Sequence, residues 1–574
     1  MPGRPAEDTT VVVLGAGING AALARELALS GVHVAVVEAD DVACGATAWS
    51  TRLVHGGLRY LEYGEVGLVR ESLAERDRLV RLAPHLVRPL EFYLPLRTRW
   101  GGLGAAAARL CGCESLARAW RPAAGRGSVA VGVGLALYDA LAVGSRWPRH
   151  RLVRAGEPGL PQVDPVAFPR AAVYADAQML HPERFTVELC VDARRIAAER
   201  GTTFALATHA TAAWGADGAL HVAGPDGAVE IRPSAIVNAT GAWVDRTLAG
   251  LLPGRGGRLI GGTKGSHLVL GAAGLRRALG DRGVYAEAED GRPVFVLPFG
   301  PRLVLVGTTD LPFTGDPASA RADDAEIEYL LAAVSRLFPR AAPGRDCVVQ
   351  HYSGVRPLPA VDAATPAAVT RRHMLVRHAA APLPSWSIVG GKLTTCRSLA
   401  EQAAAEVLGA LGLPVRQTSR ERPLPGCLSD AARGACVAEA AAALRSGAPP
   451  GDGPEQAHRV DRAAADTAGL FGARAPEVCR ETAALPPGVP PLLVGTDLPT
   501  AAVGFCVREE HARTLADLVE RRLMLSFSET LSRRTLAAVA AELARLGRLP
   551  ADRVDDEAGR CAERLQARYG KRVS

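Results

Sequence analysis

Residues 10–38, TVVVLGAGINGAALARELALSGVHVAVVE, constrain the fold more than any other stretch of the chain. TVVVLG is a short, continuously apolar run rich in β-branched residues, the pattern of a parallel strand buried on both faces. GAGING follows, with Gly15, Gly17 and Gly20 at G-x-G-x-x-G spacing, and AALARELALSG reads as a helix closed by Gly31. A second strand, VHVAVVE, ends on Glu38, eighteen residues after Gly20. Gly15 permits the tight turn, Gly17 lets backbone approach a pyrophosphate, and Gly20 lets the helix pack on the strand. The helix N-terminus faces the phosphates, and Glu38 suits a ribose 2′-hydroxyl. Strand, glycine turn, helix, strand and terminal acid in this order predict a dinucleotide-binding βαβ unit; the glycines alone would not.

At 574 residues the chain exceeds one hydrophobic core. HPERFTVELCVDARRIAAERG (181–201) reads as a helix, TTFALATHATAAW as a strand, and SAIVNATGAW (234–243) as a buried strand running into a glycine turn. GSHLVLG, RPVFVLPFG and RLVLVGTTD, between 258 and 311, read as a substrate-domain sheet inserted between cofactor-binding pieces. WSIVGGKLTTCRSLAEQAAAEVLGALG returns to strand, glycine turn and helix. The expected division has a cofactor and substrate unit over 1–412. Its cofactor part covers 8–95, 155–250 and 345–412, and its substrate part 96–154 and 255–345. A polar, proline-containing linker spans 413–426. A separate all-helical domain, with an internal loop at 446–455, spans 427–574. The fold class is α/β: a Rossmann-type domain with an interleaved mixed-sheet substrate domain and a C-terminal helical domain.

The net charge of +7 is localised. Segment 97–154 holds ten Arg against Glu114 and Asp139, together with Trp100, Trp120 and Trp147. Arg and Trp around short apolar runs suit a surface lying on anionic lipid. A solvated basic loop is the plainer reading, and no nucleic-acid motif supports a nucleic-acid surface. The apolar run 127–138 is twelve residues, short of the ~20 needed to span a bilayer. MPGRPAEDTT lacks an apolar signal core, so no secretory signal is expected. The eleven Cys include no C-x-x-C, and Cys111-x-Cys113 is no metal pattern; reduced thiols and no metal site are expected.

Only three of the 67 cationic residues are Lys: Lys264, Lys392 and Lys571. Lys264 and Lys392 sit in the glycine-rich settings GGTKGSH and GGKLTT, where a compact ammonium does what a wide guanidinium fork does not. Lys264 either binds substrate or turns a strand. After Glu38, small and hydroxylated residues run into His55-Gly56-Gly57, suited to backbone lying flat against a large planar ring.

GAGINGAALARELA, STRLVHGGLRYLE, LVRLAPHL, VNATGAWV, KGSHLVL, GTTD, YSGVRPL and GGKLTT occur in that order. Together they resemble the FAD-dependent glycerol-3-phosphate dehydrogenases of the respiratory, membrane-associated kind. The likeness is dense over about 10–412 and looser around REEHARTLADLVERR. It implies a flavoenzyme domain of the glutathione-reductase/amino-acid-oxidase kind; because no His or Cys attachment motif appears, the FAD is expected to be non-covalent. It further implies oxidation of sn-glycerol 3-phosphate to dihydroxyacetone phosphate with electrons passed to quinone. The location implied is cytoplasmic, peripheral to the inner face of the cell membrane. A homodimer stays open.

The resemblance also assigns residues. Gly15, Ala16, Gly17, Ile18, Asn19 and Gly20, with Glu38 and Ala39, would hold the nucleotide. Ser50, Arg52, Leu53, His55, Gly56 and Gly57 would follow it toward the ring, joined by Gly241, Trp243 and Gly391 to Thr394 through Lys392 and Leu393. Arg59 with Tyr60, Arg356, Arg371 and Lys392 would line the substrate site, Arg356 and Arg371 on the phosphate and Arg59 on the glycerol hydroxyls. His55 and His267 are candidates for the base, with His267 favoured. Lys392 would stabilise negative charge on the reduced ring, and Thr394 or Thr395 would cap the following helix.

Arg372 stands where the family pattern usually has Asp, Cys396 where Tyr is common, and Trp49 and Arg52 in place of a Ser-rich stretch with Lys. Alternative readings are a glycerol-phosphate oxidase using oxygen, an amine or amino-acid oxidase on the same scaffold, and a non-enzymatic flavin-binding protein.

Overall fold

The computed structural model describes residues 9–101, 127–142, 144, 147–251, 257–360, 372–447 and 454–574. Thr10–Leu14 lies inside a six-stranded sheet ordered Met374–Arg377, Ser385–Val389, Ala235–Asn238, Thr10–Leu14, His33–Val37, Phe204–Ala207. All pairings are parallel except that of the edge strand Met374–Arg377. Val11, Val13, Val34 and Val36 pack against the helices Ile18–Leu29, Pro182–Arg200 and Cys396–Ala410. Val12, Leu14, Ala35 and Val37 pack toward a three-stranded antiparallel layer, Thr211–Trp214, Leu220–Gly224 and Gly227–Ile231. TVVVLG is apolar throughout because neither face of its strand meets water.

The stretch TTFALATHATAAW, expected as one strand, is two. Phe204–Ala207 ends the parallel sheet and Thr211–Trp214 begins the antiparallel layer. His209 between them takes φ 53°, in the left-handed region, and turns the chain.

A second sheet has ten strands and includes Leu53–Val54, Val87–Leu96, Arg170–Met179, Thr263–Leu270, Pro293–Phe299 and Val348–Arg356. The helices Ala273–Leu279 and Asp324–Leu337 cover one face; aromatic side chains project from the other. The boundary between the two units therefore differs from the expected one. Leu53–Val54, most of Val87–Leu96, Arg170–Met179 and Val348–Arg356 fall in segments assigned to the cofactor part, yet they pair into the second sheet. Apolar composition does not distinguish the two sheets; strand partners do.

The helical region 427–574 does not stand apart. Leu518, Leu536 and Leu565 share one buried cluster with Phe92, Tyr174 and Tyr352 of the second sheet. Arg184 pairs with Glu510, and Asp41 with Arg521 and Arg522, all buried. The stretch 413–426, expected as a linker, is a docked strap. Ser419 is buried, and its backbone N–H donates to Glu26 at 3.2 Å. Arg422 bridges Asp192 at 3.1 Å and Glu199 at 2.9 Å. Its polar composition serves ion pairing against the body of the protein. Most of the loop 446–455 lies outside the described residues.

Candidate functional site

The carboxyl ends of Thr10–Leu14 and His33–Val37, together with the aromatic face of the second sheet, enclose a cleft of about 870 Å³. That is near the top of the ~300–1,000 Å³ range of small-molecule and cofactor sites. At one end is the glycine turn. A Cβ on Gly15, whose φ is 97°, would sit 2.8 Å from the Ala239 carbonyl oxygen, and one on Gly20 would sit 2.0 Å from that of Gly15. Gly17 has no such crowding; the nearest atom to its Cβ position is Thr47 Oγ1 at 3.6 Å, so this glycine leaves the cleft wall open for close approach. Thr47 Oγ1 also accepts from the Ile18 N–H at 3.1 Å.

Glu38 accepts from the amides of Ala16 at 2.8 Å and Asp40 at 3.0 Å. Burial pushes its carboxyl above the ordinary carboxylate range, against the pull of those amides. Ala39 lines the same wall. Asn19 donates to the Gly390 carbonyl at 3.4 Å, while its Oδ1 is buried with no hydrogen-bond partner among the described residues. An orphaned acceptor in a glycine cradle fits a polar group of a bound dinucleotide. Ala16 and Gly20 stand behind the wall and do not line it.

At the other end two loops meet. Thr394 accepts from the His55 N–H at 3.1 Å and its hydroxyl lies 3.3 Å from the His55 carbonyl oxygen. It therefore ties the loops together instead of capping a helix. Thr395 holds the cap position of Cys396–Ala410 without a side-chain cap bond. Gly57 and Gly391 have φ 83° and 95°, and their backbones line the cleft with Leu393. Gly56 faces away from it, because a Cβ there would lie 2.4 Å from the Tyr138 hydroxyl. The Gly56 N–H donates to Asp176 at 3.2 Å, and Tyr138 and Arg76 hold that carboxylate from behind at 2.8 and 3.0 Å. Asp176 escaped the sequence reading; an acid in the middle of the strand RAAVYADAQM was the available signal.

Lys392 donates to Ser72 Oγ at 3.1 Å, and its ammonium stands 4.2 Å from the Tyr60 ring centroid. Lys264 is elsewhere, 2.6 Å from Glu326, and braces the second sheet. Arg52 is among the residues lining the cleft, with φ 59°. Its buried guanidinium is spent on Glu183, at 2.6 and 2.8 Å, so it offers the cofactor no cation. Ser50 and Leu53 line the same stretch. Gly241 turns at φ 60°, and Trp243 rests on Gly45 and donates to Asp316 at 3.3 Å.

The facing wall brings Arg59, Tyr60, His267 and Arg356 together. Arg356 donates to Asp310 at 2.8 Å and to Thr308 Oγ1 at 3.1 Å. The sequence reading missed the aromatic floor, in which Tyr285 stacks on Phe295 at 4.8 Å and Phe92 on Tyr174 at 5.4 Å. Their inward positions depend on strand register. His267 Nε2 lies 2.9 Å from Thr51 Oγ1, and its ring stacks on Tyr352 at 5.0 Å. Burial, with Arg356 and Arg52 nearby, holds the His267 imidazole well below its ordinary pKa. Burial and the Lys392 ammonium push His55 down to about 3. In both rings burial favours the neutral imidazole over the protonated one. Arg371 lies outside the described residues, as do Cys111, Cys113 and Trp120. The nine described cysteines are free thiols.

The profile of the FAD-dependent oxidoreductase (DAO) family matches residues 10–380. A glycerol-3-phosphate dehydrogenase of Synechocystis is 34% identical over 545 residues, 90% of this chain and 88% of that protein. The aerobic glycerol-3-phosphate dehydrogenase of Escherichia coli is 34% identical over 69% of this chain and 73% of its own length. D-erythritol 1-phosphate dehydrogenase of Brucella abortus is 31% identical over 73% of this chain and 78% of its own. Among solved structures, glycerol-3-phosphate dehydrogenase from Bacillus halodurans complexed with FAD superimposes with a TM-score of 0.69 at 22% identity. The match covers 98% of this chain and 96% of that one, and it establishes the fold.

Proposed function

The chain belongs to the FAD-dependent oxidoreductase family, among the glycerol-3-phosphate dehydrogenases, and from that premise we propose that it oxidises sn-glycerol 3-phosphate to dihydroxyacetone phosphate and passes the electrons to quinone. The observation that carries this reading is that Arg59, Arg356 and Lys392 all line the cleft that the glycine cradle opens. One cation suffices for an amino-acid carboxylate; three suit a phosphate dianion and the charge that develops during oxidation.

Bound FAD supplies the acceptor for the hydride that leaves C2. Gly15, Gly17, Asn19 and Glu38 would hold its nucleotide end, and the loops around His55 and Lys392 its ring. Arg356, braced by Asp310, grips the substrate phosphate. Arg59 takes the glycerol hydroxyls. His267, oriented by Thr51, accepts the C2-hydroxyl proton. Phe92, Tyr174, Tyr285 and Phe295 exclude water from the reacting carbon.

Steady-state rates with glycerol 3-phosphate, D-erythritol 1-phosphate and amino acids, with a quinone analogue or oxygen as acceptor, test the proposal. The expected order is glycerol 3-phosphate first, with quinone preferred. Turnover with amino acids alone would overturn it. His267→Asn should lower kcat about 10²–10⁴-fold, the worth of a positioned base. Because the imidazole is held below its ordinary pKa, wild-type kcat should show no acid-side fall near the usual ~6.5; a fall there would move the role to another group.

Docking on anionic lipid is part of the same proposal. The helix Ser128–Leu141 exposes Val133 (66%) and Leu137 (42%), and Leu152 and Trp100 are exposed at 53% and 62%. Arg149, Arg151 and Arg154 are exposed nearby in sequence. Trp147, counted with this surface from the sequence, instead lies against Arg76, 4.2 Å from the guanidinium. Among the described residues no helix is long and apolar enough to cross a membrane. At ~1 kcal/mol per basic residue near an anionic surface, changing the three arginines to Gln should weaken binding to phosphatidylserine vesicles about 100-fold. Unchanged co-sedimentation would reject this surface.

A further inference from the structure

The last helix, Val554–Tyr569, reaches the cleft, and Arg568 is the one described residue beyond Thr394 in its lining. Its guanidinium lies 4.5 Å from the Trp49 ring centroid and 5.9 Å from that of Tyr569. No carboxylate among the described residues pairs with it, and its Nε is buried without a hydrogen-bond partner. Arg321 is beside it. That side chain donates to the carbonyls of Ala318 at 2.9 Å, Ala320 at 2.7 Å and Ala567 at 3.4 Å, and it too has no carboxylate partner among the described residues. Ala318 itself lines the cleft. Arg564, one turn back on the same helix, is by contrast spent on Glu520 at 2.7 Å.

Glu520, the anion nearest this cluster, is hydrogen-bonded to Arg564 and Arg521 and to neither Arg568 nor Arg321. Burial and the neighbouring Arg568 and Arg564 charges hold Arg321 below its ordinary pKa. Trp49 offers Arg568 a flat aromatic face that fixes the plane of its fork. Planar forks of this kind suit the oxygens of a phosphate.

We propose that Arg568 forms a phosphate-binding subsite in the cleft lining, supplied by the C-terminal helix, with Arg321 adding its positive charge from the segment that leads into the helix Asp324–Leu337. The phosphate is either that of the substrate, which rests on the polyol-phosphate reading above, or the pyrophosphate of the cofactor. Both present the same oxyanion chemistry.

The test compares wild type with Arg568→Gln and Arg568→Lys. Inorganic phosphate is titrated into holoenzyme by calorimetry, FAD affinity is measured on apoprotein, and KM and kcat are measured with glycerol 3-phosphate. Loss of a charged hydrogen-bonding group predicts about a tenfold effect. If the substrate phosphate binds here, phosphate affinity falls about tenfold in Arg568→Gln and KM rises about tenfold more than kcat falls. If the cofactor pyrophosphate binds here, FAD affinity falls instead. Arg568→Lys, which keeps the charge and loses the fork, should lie between and decides the matter if the glutamine variant does not fold. Folded variants that bind phosphate, FAD and substrate like wild type overturn the subsite. Failure of wild type to oxidise glycerol 3-phosphate would overturn the function instead, and the phosphate and FAD titrations would still decide the subsite.

Discussion

Lys392→Arg should keep FAD bound and lower kcat about 10²–10³-fold, the usual cost of losing one preorganised charge-stabilising group. The ammonium is confined between Ser72 Oγ at 3.1 Å and the Tyr60 ring at 4.2 Å. Gly390 and Gly391 before it have φ 81° and 95°, and a Cβ on Gly391 would sit 2.7 Å from Asn19 Nδ2. The loop therefore has no slack to move back for a larger head group. A guanidinium keeps the charge but shifts its centre and demands a planar slot. The visible flavin spectrum separates loss of cofactor from loss of rate. Wild-type kcat in a flavin-loaded Lys392→Arg protein would remove the lysine from the chemistry.

Asp41→Asn should cost about 3–5 kcal/mol of stability, the price of breaking a buried ion pair from one side. Asp41 is fully buried; it accepts from Arg522 at 2.8 Å through both oxygens and from Arg521 at 2.6 Å. It opens the segment that runs beside the glycine cradle, where the Ala43 N–H donates to the Ala16 carbonyl at 3.0 Å and Thr47 meets Ile18. Loosening that anchor should release FAD at lower temperature together with the fall in the melting midpoint. Melting curves read by circular dichroism and by free-flavin fluorescence check both. An unchanged midpoint and unchanged flavin release would mean that the C-terminal helices do not support the cradle.

The parts of this site written in local pattern were legible in the sequence. Gly15, Gly17, Gly20 and Glu38 fall within one βαβ unit, where sterics of neighbouring residues set their roles. What was illegible depends on partners far along the chain. Arg52 has the position of a cofactor contact, but Glu183, 131 residues away, takes its charge. Thr394 has the sequence context of a helix cap, but its hydroxyl is taken by His55, 339 residues away. Asp176 gains its role only when Tyr138 and Arg76 fold behind it. The polar strap 413–426 has the composition of a linker because ion pairing and solvation call for the same residues. Strand pairing carries no local mark, so most of Val87–Leu96 and all of Arg170–Met179 fell in segments assigned to the cofactor part although they pair into the second sheet.

The most direct test of the central claim is anaerobic stopped-flow mixing of the FAD-loaded protein with sn-glycerol 3-phosphate, followed at the visible flavin maximum. Rapid bleaching, slowed in Lys392→Arg, is the predicted result. A protein that stays yellow with glycerol 3-phosphate would contradict the assignment of the substrate to this cleft.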